Sequence, residues 1–114
     1  CAAKTDEEAW YLRSSQMLAF ARLRTGRPGK LPLPTGDLSA EIPAAVMAQV
    51  KQSLSCSATG SPKTVRRELA ALVARYQPEE LMVTGMIHDH AARLKSFAIA
   101  AEALSDISEA SKVA

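Results

Sequence analysis

Apolar positions return every three or four residues along most of this chain, and the breaks between those runs mark its elements. Ala9, Leu12, Ala19, Phe20 and Leu23 fall on one helical face. Thr5-Asp6-Glu7-Glu8 precedes them as a capping box, in which the Thr5 hydroxyl takes the Glu8 amide and Glu8 reaches back. The three carboxylates also meet the positive end of the helix dipole. Gly26 and Pro28 stop the run, which predicts a first helix over about residues 6–24. Ile42, Val46, Val50 and Leu54 recur every fourth residue and predict a second helix near 43–54, with Pro43 tolerated in its first turn. Val65, Leu69, Leu72, Val73 and Tyr76 trace a third face, opened by Ser61 as cap and Pro62 at the first helical position and closed at Gln77-Pro78. That predicts a helix over 62–76. Leu94, Phe97, Ala101, Leu104 and Ile107 line up in a last helix near 88–104, after which Ser108 to Ala114 is expected to fray.

Between the helices lie two strand candidates. Ser55-Cys56-Ser57-Ala58-Thr59 is small and compatible with extended backbone, and Leu81-Met82-Val83-Thr84 is a brief apolar run expected of a strand buried on both faces. The order strand–helix–strand–helix implies a parallel pair joined by a right-handed crossover. The expected class is therefore α/β, mostly helical with two or three short parallel strands. Two such strands do not make a self-sufficient core, so their open edges predict neighbours supplied from outside this sequence. Residues 25–41 hold three of the six prolines and three of the five glycines and read as a loop of about 17 residues.

Composition narrows the functional classes. At 114 residues the chain is one domain at most, well short of the roughly 250 residues that close a (β/α)₈ barrel. Hydrophobic residues at 47% and charged residues at 23% are ordinary globular usage. A net charge of +2 and five aromatics (Trp10, Tyr11, Phe20, Tyr76, Phe97) give no basis for a nucleic-acid partner, and no membrane span is expected. Cys1 and Cys56 are too few for a disulfide framework, Cys56 reading as a minor hydrophobe, so the default compartment is reducing and cytoplasmic. A start at Cys1 predicts processing or excision from a longer chain; lipid anchoring at Cys1 is a further reading.

Charge is uneven. No acidic residue lies between Glu8 and Asp37, whereas Arg13, Arg22, Arg24, Arg27 and Lys30 do. The stretch reads either as a solvated surface loop or as a lid that attracts an anion. At Gly60-Ser61-Pro62 a helix N-terminus favours an anion, so a phosphate fits near Gly60 and Ser61; equally, Ser61 caps its own helix and nothing binds. His88 and His90 bracket Asp89. They share a face in extended backbone, yet no further ligand has metal-site spacing, so no metal is expected. The alternative places Asp89 as N-cap of the last helix, with either imidazole free to face a substrate. No His–Asp arrangement surrounds Ser61 or Cys56 to make a nucleophile.

Five blocks, taken in order, carry a resemblance: Thr-Asp-Glu-Glu-Ala (5–9), Leu-Arg-x-Gly-Arg-Pro-Gly-x-Leu-Pro (23–32), Gly-Ser-Pro-x-Thr-Val-Arg (60–66), Glu-Leu-Met-Val-Thr (80–84) and Asp-His-Ala-Ala-Arg-Leu-x-Ser-Phe-x-Ile-Ala-Ala (89–101). Over about residues 1–104 the chain resembles the C-terminal segment of flavin-dependent, alkanal-monooxygenase-type luciferase-like monooxygenases. The resemblance implies the C-terminal part of a (β/α)₈ TIM barrel, from the end of strand six to helix eight. Cys1–Ala3 would end strand six, 6–24 would be helix six, and 25–54 a lid-type insertion over the active site. Residues 55–104 would be the last two βα units, and the N-terminal barrel segment would be missing. It further implies reduced FMN supplied by a flavin reductase, and insertion of one atom of O₂ into a small organic substrate. Arg24, Arg27 and Lys30 would be lid cations that hold the flavin phosphate or exclude water. His88 and His90 would stand near the barrel mouth. The segment alone is expected to be inactive, most catalytic contacts lying upstream. The competing expectation is a non-catalytic α/β interaction module, for which a homodimer is the simplest form.

Overall fold

The computed structural model describes residues 1–113, and Ala114 lies outside the described residues. Five helices follow in order: α1 Asp6–Arg24, α2 Leu38–Glu41, α3 Ala44–Ser53, α4 Pro62–Tyr76 and α5 His90–Val113. Local chemistry accounts for their ends. Thr5 Oγ1 accepts the Glu8 amide at 3.1 Å, opening α1 with the first half of the predicted capping box. α1 closes in a Schellman motif, with Gly26 N–H donating to Leu23 O and Arg27 N–H to Arg22 O. Gly26 sits at φ +76°, which its missing Cβ permits. α4 spans the expected 62–76, with Pro62 in its first turn and Ser61 Oγ accepting from the Thr64 amide.

The predicted loop over 25–41 is shorter than expected, because Asp37 accepts the Ala40 amide and starts the one-turn helix α2. α5 begins two residues late, since Asp89 accepts the Ala92 amide at 2.9 Å and so stands as its N-cap. It also runs on to Val113, correcting the expected fraying from Ser108. Leu104 and Ile107 pack on the α4–α5 core, whereas residues 108–111 beyond them are exposed.

The strand expectation needs the largest correction. Among the described residues the parallel sheet is a single bridge, Ala2 with Gly60. Its ladder is regular all the same: Cys1 N–H donates to Ala58 O at 2.7 Å, Gly60 N–H to Cys1 O at 3.1 Å, and Ala3 N–H to Gly60 O at 3.1 Å. Leu81–Thr84 joins no ladder. Instead of being buried on both faces it leaves Met82 85% exposed.

Side chains along the bridge alternate between two cores, as strand geometry requires. Ala2 and Ala58 pack with Val65, Leu69 and Ala103 from α4 and α5. Ala3 packs with Ala9 and Leu12 of α1 and with Ile87. A third core joins Met17, Leu18 and Ala21 of α1 to Ile42 and Val50. Cys1 and Cys56 are free thiols, and Cys56 is exposed rather than packed as a hydrophobe. No described helix is long and apolar enough to cross a membrane.

Candidate functional site

The ladder brings the N-termini of α1 and α4 together. Gly60 has φ +151°, and a Cβ there would meet Asp6 Oδ1 at 2.5 Å and Thr64 Cγ2 at 2.6 Å. Only glycine lets the Asp6 carboxylate come this close. Ser61 N–H donates to Asp6 Oδ1 at 2.6 Å. That bond, reinforced by the hydroxyls of Thr64 and Ser61, holds the Asp6 carboxyl below the usual carboxylate range.

This geometry favours the capping reading of the Gly60–Ser61 turn. The Gly60 amide is spent on Cys1 O, the Ser61 amide on Asp6 and the Thr64 amide on Ser61 Oγ. Pro62 has no amide proton. The anion attracted by the α4 dipole is therefore the chain's own carboxylate. A phosphate would have to displace Asp6 against like charge, so Gly60 and Ser61 do not fit a flavin phosphate.

Arg27 is not brought to this place. It follows α1, whereas Asp6 begins it, and 19 residues of helix separate the two ends by about 27 Å. One small ligand cannot touch both Arg27 and Gly60–Ser61. Residues 25–54 leave the far end of α1 and return to the start of the Ala58–Gly60 segment, away from the Ser61 turn. Arg27 is exposed there beside Glu41 and Pro43, its amide closing α1, while Thr35 N–H donates to Ser14 Oγ at 2.8 Å and ties the loop to the flank of α1. The expected lid cation Arg27 thus stands at the end of α1 opposite the Ser61 turn. Arg24 donates to Ser53 Oγ, fastening α1 to α3.

His88 and His90 are both exposed. Arg93 Nη2 stands 2.7 Å from His90 Nδ1, and since a guanidinium only donates, that nitrogen is the acceptor. Among the described residues no group of three or more His, Cys, Asp or Glu could hold a metal ion.

Sequence reasoning missed the most unusual polar group. Arg13 is 6% exposed. It donates through Nη1 to Thr59 Oγ1, and through Nη2 to Ser57 Oγ at 2.8 Å and Leu54 O at 3.2 Å. Its guanidinium carbon lies 5.3 Å from the centroid of the Trp10 ring. Burial pushes its pKa down, with Glu68 opposing. The signal was present: Ala9, Arg13, Met17 and Ala21 form one buried stripe at four-residue spacing, and a lone charge inside an apolar stripe is a candidate buried group.

With this geometry in place, kinship is informative. Over 99 residues, 87% of this chain, it is 36% identical to a protein of Escherichia coli K12 named luciferase-like monooxygenase. This chain is a relative of luciferase-like monooxygenases. It spans only 30% of that protein's length. YvbT of Bacillus subtilis, an uncharacterized protein, is 34% identical over 89% of the chain and is likewise covered to 30%. A crystal structure of apo-MsnO8 superposes on 92% of this chain with a TM-score of 0.61 and 28% identity, again over 32% of its own length. No protein-family model matches. The luciferase-like match thus covers nearly all of this chain and about a third of each relative.

Proposed function

We propose that the chain is the C-terminal part of a (β/α)₈ barrel in an FMN-dependent, luciferase-like monooxygenase, running from the end of the sixth strand through the eighth helix. The observation that supports it best is the parallel ladder between Cys1–Ala3 and Ala58–Gly60. It is joined through α1 and followed at once by α4, as in two successive βα units. On this reading the parent inserts one oxygen atom from O₂ into a small organic substrate, and a separate reductase delivers the reduced flavin. The cofactor rests on the family resemblance alone; Gly60 and Ser61 do not fit its phosphate, and Arg27 stands at the other end of α1.

What this chain contributes is architecture at the mouth. Asp6 clasps the Ser61 turn, which fixes the start of α4 relative to α1. His88 follows the Leu81–Thr84 segment and precedes α5, at a strand-to-helix turn of the kind where such barrels carry their reacting groups. It is the imidazole we assign to face substrate, since His90 is engaged by Arg93.

The decisive test compares this 114-residue chain with the full-length protein that carries it. Given reduced FMN from a reductase, the full-length protein is expected to consume O₂ in step with substrate oxidation, while the chain alone neither binds FMN nor turns over. Tight FMN binding by the chain alone, or an upstream sequence lacking five more strand–helix repeats, would overturn the reading. The alternative, a non-catalytic module, draws on the exposed Met82, Leu94 and Phe97 and predicts a stable, monodisperse dimer of this chain in size-exclusion chromatography.

A further inference from the structure

Arg13 is a buried cation without a counter-charge. Among the described residues no carboxylate comes within ion-pair distance of it, and Glu68 acts only from further away. Its Nε is buried and has no hydrogen-bond partner. A buried charge served only by neutral oxygens and an aromatic face is expensive, and an uncommitted N–H adds to the cost. Nε is sealed from solvent, so an anion would offset the cost of the buried charge from the Nη edge of the guanidinium.

The surroundings fit that role. Arg13 lines a cavity of about 270 Å³ together with Lys51, Ser55, Ser57 and Thr59. Two cations face one carboxylate, Glu68, which leaves a net positive charge; the Ser57 hydroxyl already donates to Leu54 O, while Ser55, Thr59 and the Lys51 ammonium still offer more donors than a carboxylate's two oxygens would use. Trp10, Met17 and Lys51 also line an adjoining groove of about 530 Å³, whose remaining wall includes Leu38, Ile42 and Met47. A cationic, hydroxyl-rich pocket therefore opens onto an apolar trough, with Trp10 at the join.

We propose that this α1–α3 pocket binds a phosphate monoester with an apolar body, the phosphoryl group between Arg13 and Lys51 and the body over Trp10 and Met17. The site stands independently of the monooxygenase reading. The test is calorimetric titration of the full-length protein with phenyl phosphate, inorganic phosphate and phenol. Phenyl phosphate is expected to bind saturably, and inorganic phosphate about tenfold more weakly for want of the apolar contact, a difference of ~1.4 kcal/mol. Phenol, lacking the anion, is expected not to bind. Lys51 is exposed, so Lys51→Ala leaves the fold intact and should weaken phenyl phosphate about tenfold. Trp10→Ala should erase the advantage of phenyl phosphate over inorganic phosphate. Absence of saturable binding, an unchanged affinity in Lys51→Ala, or phenol binding as well as phenyl phosphate would each overturn the site.

Discussion

Ser55–Gly60 and Leu81–Gly85 are both short runs between helices, both end at a glycine, and only the first joins a ladder. Cys1–Ala3 runs beside the first, and its small Ala58 lets Ala2, Val65 and Leu69 close around it. The second is the more hydrophobic of the two, yet no described strand lies beside it, and Met82 stands in solvent. Local composition makes a segment willing to be extended. A strand, however, is a property of two neighbours, because its amides and carbonyls are satisfied only across the gap.

The glycines that end the two segments offer the largest break in this comparison. Gly60→Val would drive a Cβ into Asp6 and Thr64 at a φ that L side chains rarely adopt. The expected loss is about 3 kcal/mol of unfolding free energy or more in urea denaturation. At Gly85 the nearest atoms to an added methyl are the Phe97 ring carbons at 3.9 Å, ordinary contact distance. Gly85→Ala should therefore change stability by about 0.5 kcal/mol or less. Equal effects at the two positions would mean that the ladder is not what holds α1 to α4.

Next in size is a substitution whose effect depends on what surrounds the chain. Met82→Asp should leave this chain within about 0.5 kcal/mol of its original stability, since the side chain is already exposed. In the full-length protein, if Leu81–Thr84 becomes an inner strand, the same change buries a carboxylate without a partner and should cost about 3 kcal/mol. Thermal unfolding of both, side by side, reads the difference. No difference would leave the segment outside any sheet and count against the proposed eighth strand.

The same contrast explains what was legible in the sequence. The bounds of α1 and α4 follow from Thr5, Gly26, Ser61 and Pro62, whose capping chemistry acts within a few residues. The bridge could not be read that way, because the partner of Ala58 and Gly60 lies 57 residues or so away in sequence. Burial in α1 was hidden for a related reason. Leu23 lies on the predicted apolar face but is 63% exposed, whereas Arg13, Ser14 and Ser15 are buried, Arg13 against Leu54–Thr59 and Ser14 under the loop at Thr35. At the site, a cap and a phosphate cradle look identical in Gly-Ser-Pro. What separates them is the Asp6 carboxylate arriving from another helix.

That carboxylate makes a smaller, pH-dependent prediction. Its pKa is depressed in the folded chain, so its stabilisation is fully present above the unfolded value of about 3.9 and is lost as pH falls through the lower folded value. Asp6→Asn should lower the unfolding midpoint at neutral pH, by less than Gly60→Val. It should also flatten the acid limb of stability below about pH 4. An Asn variant with the acid limb of the original chain would show that Asp6 carries none of the clasp.

The smallest expected effect is the most informative about the two ends of α1. Arg27 is exposed, and its amide, which completes the Schellman motif, survives replacement of the side chain. Arg27→Ala should therefore shift stability by about 0.5 kcal/mol or less. In the full-length protein it should also leave the ratio of peroxide released to substrate oxidised unchanged. A lid cation over a reactive flavin would behave otherwise, because admitting water there raises peroxide release. Higher peroxide release from Arg27→Ala, with stability intact, would carry residues 25–54 back to the mouth. It would also require the full-length protein to bend that segment along the whole of α1.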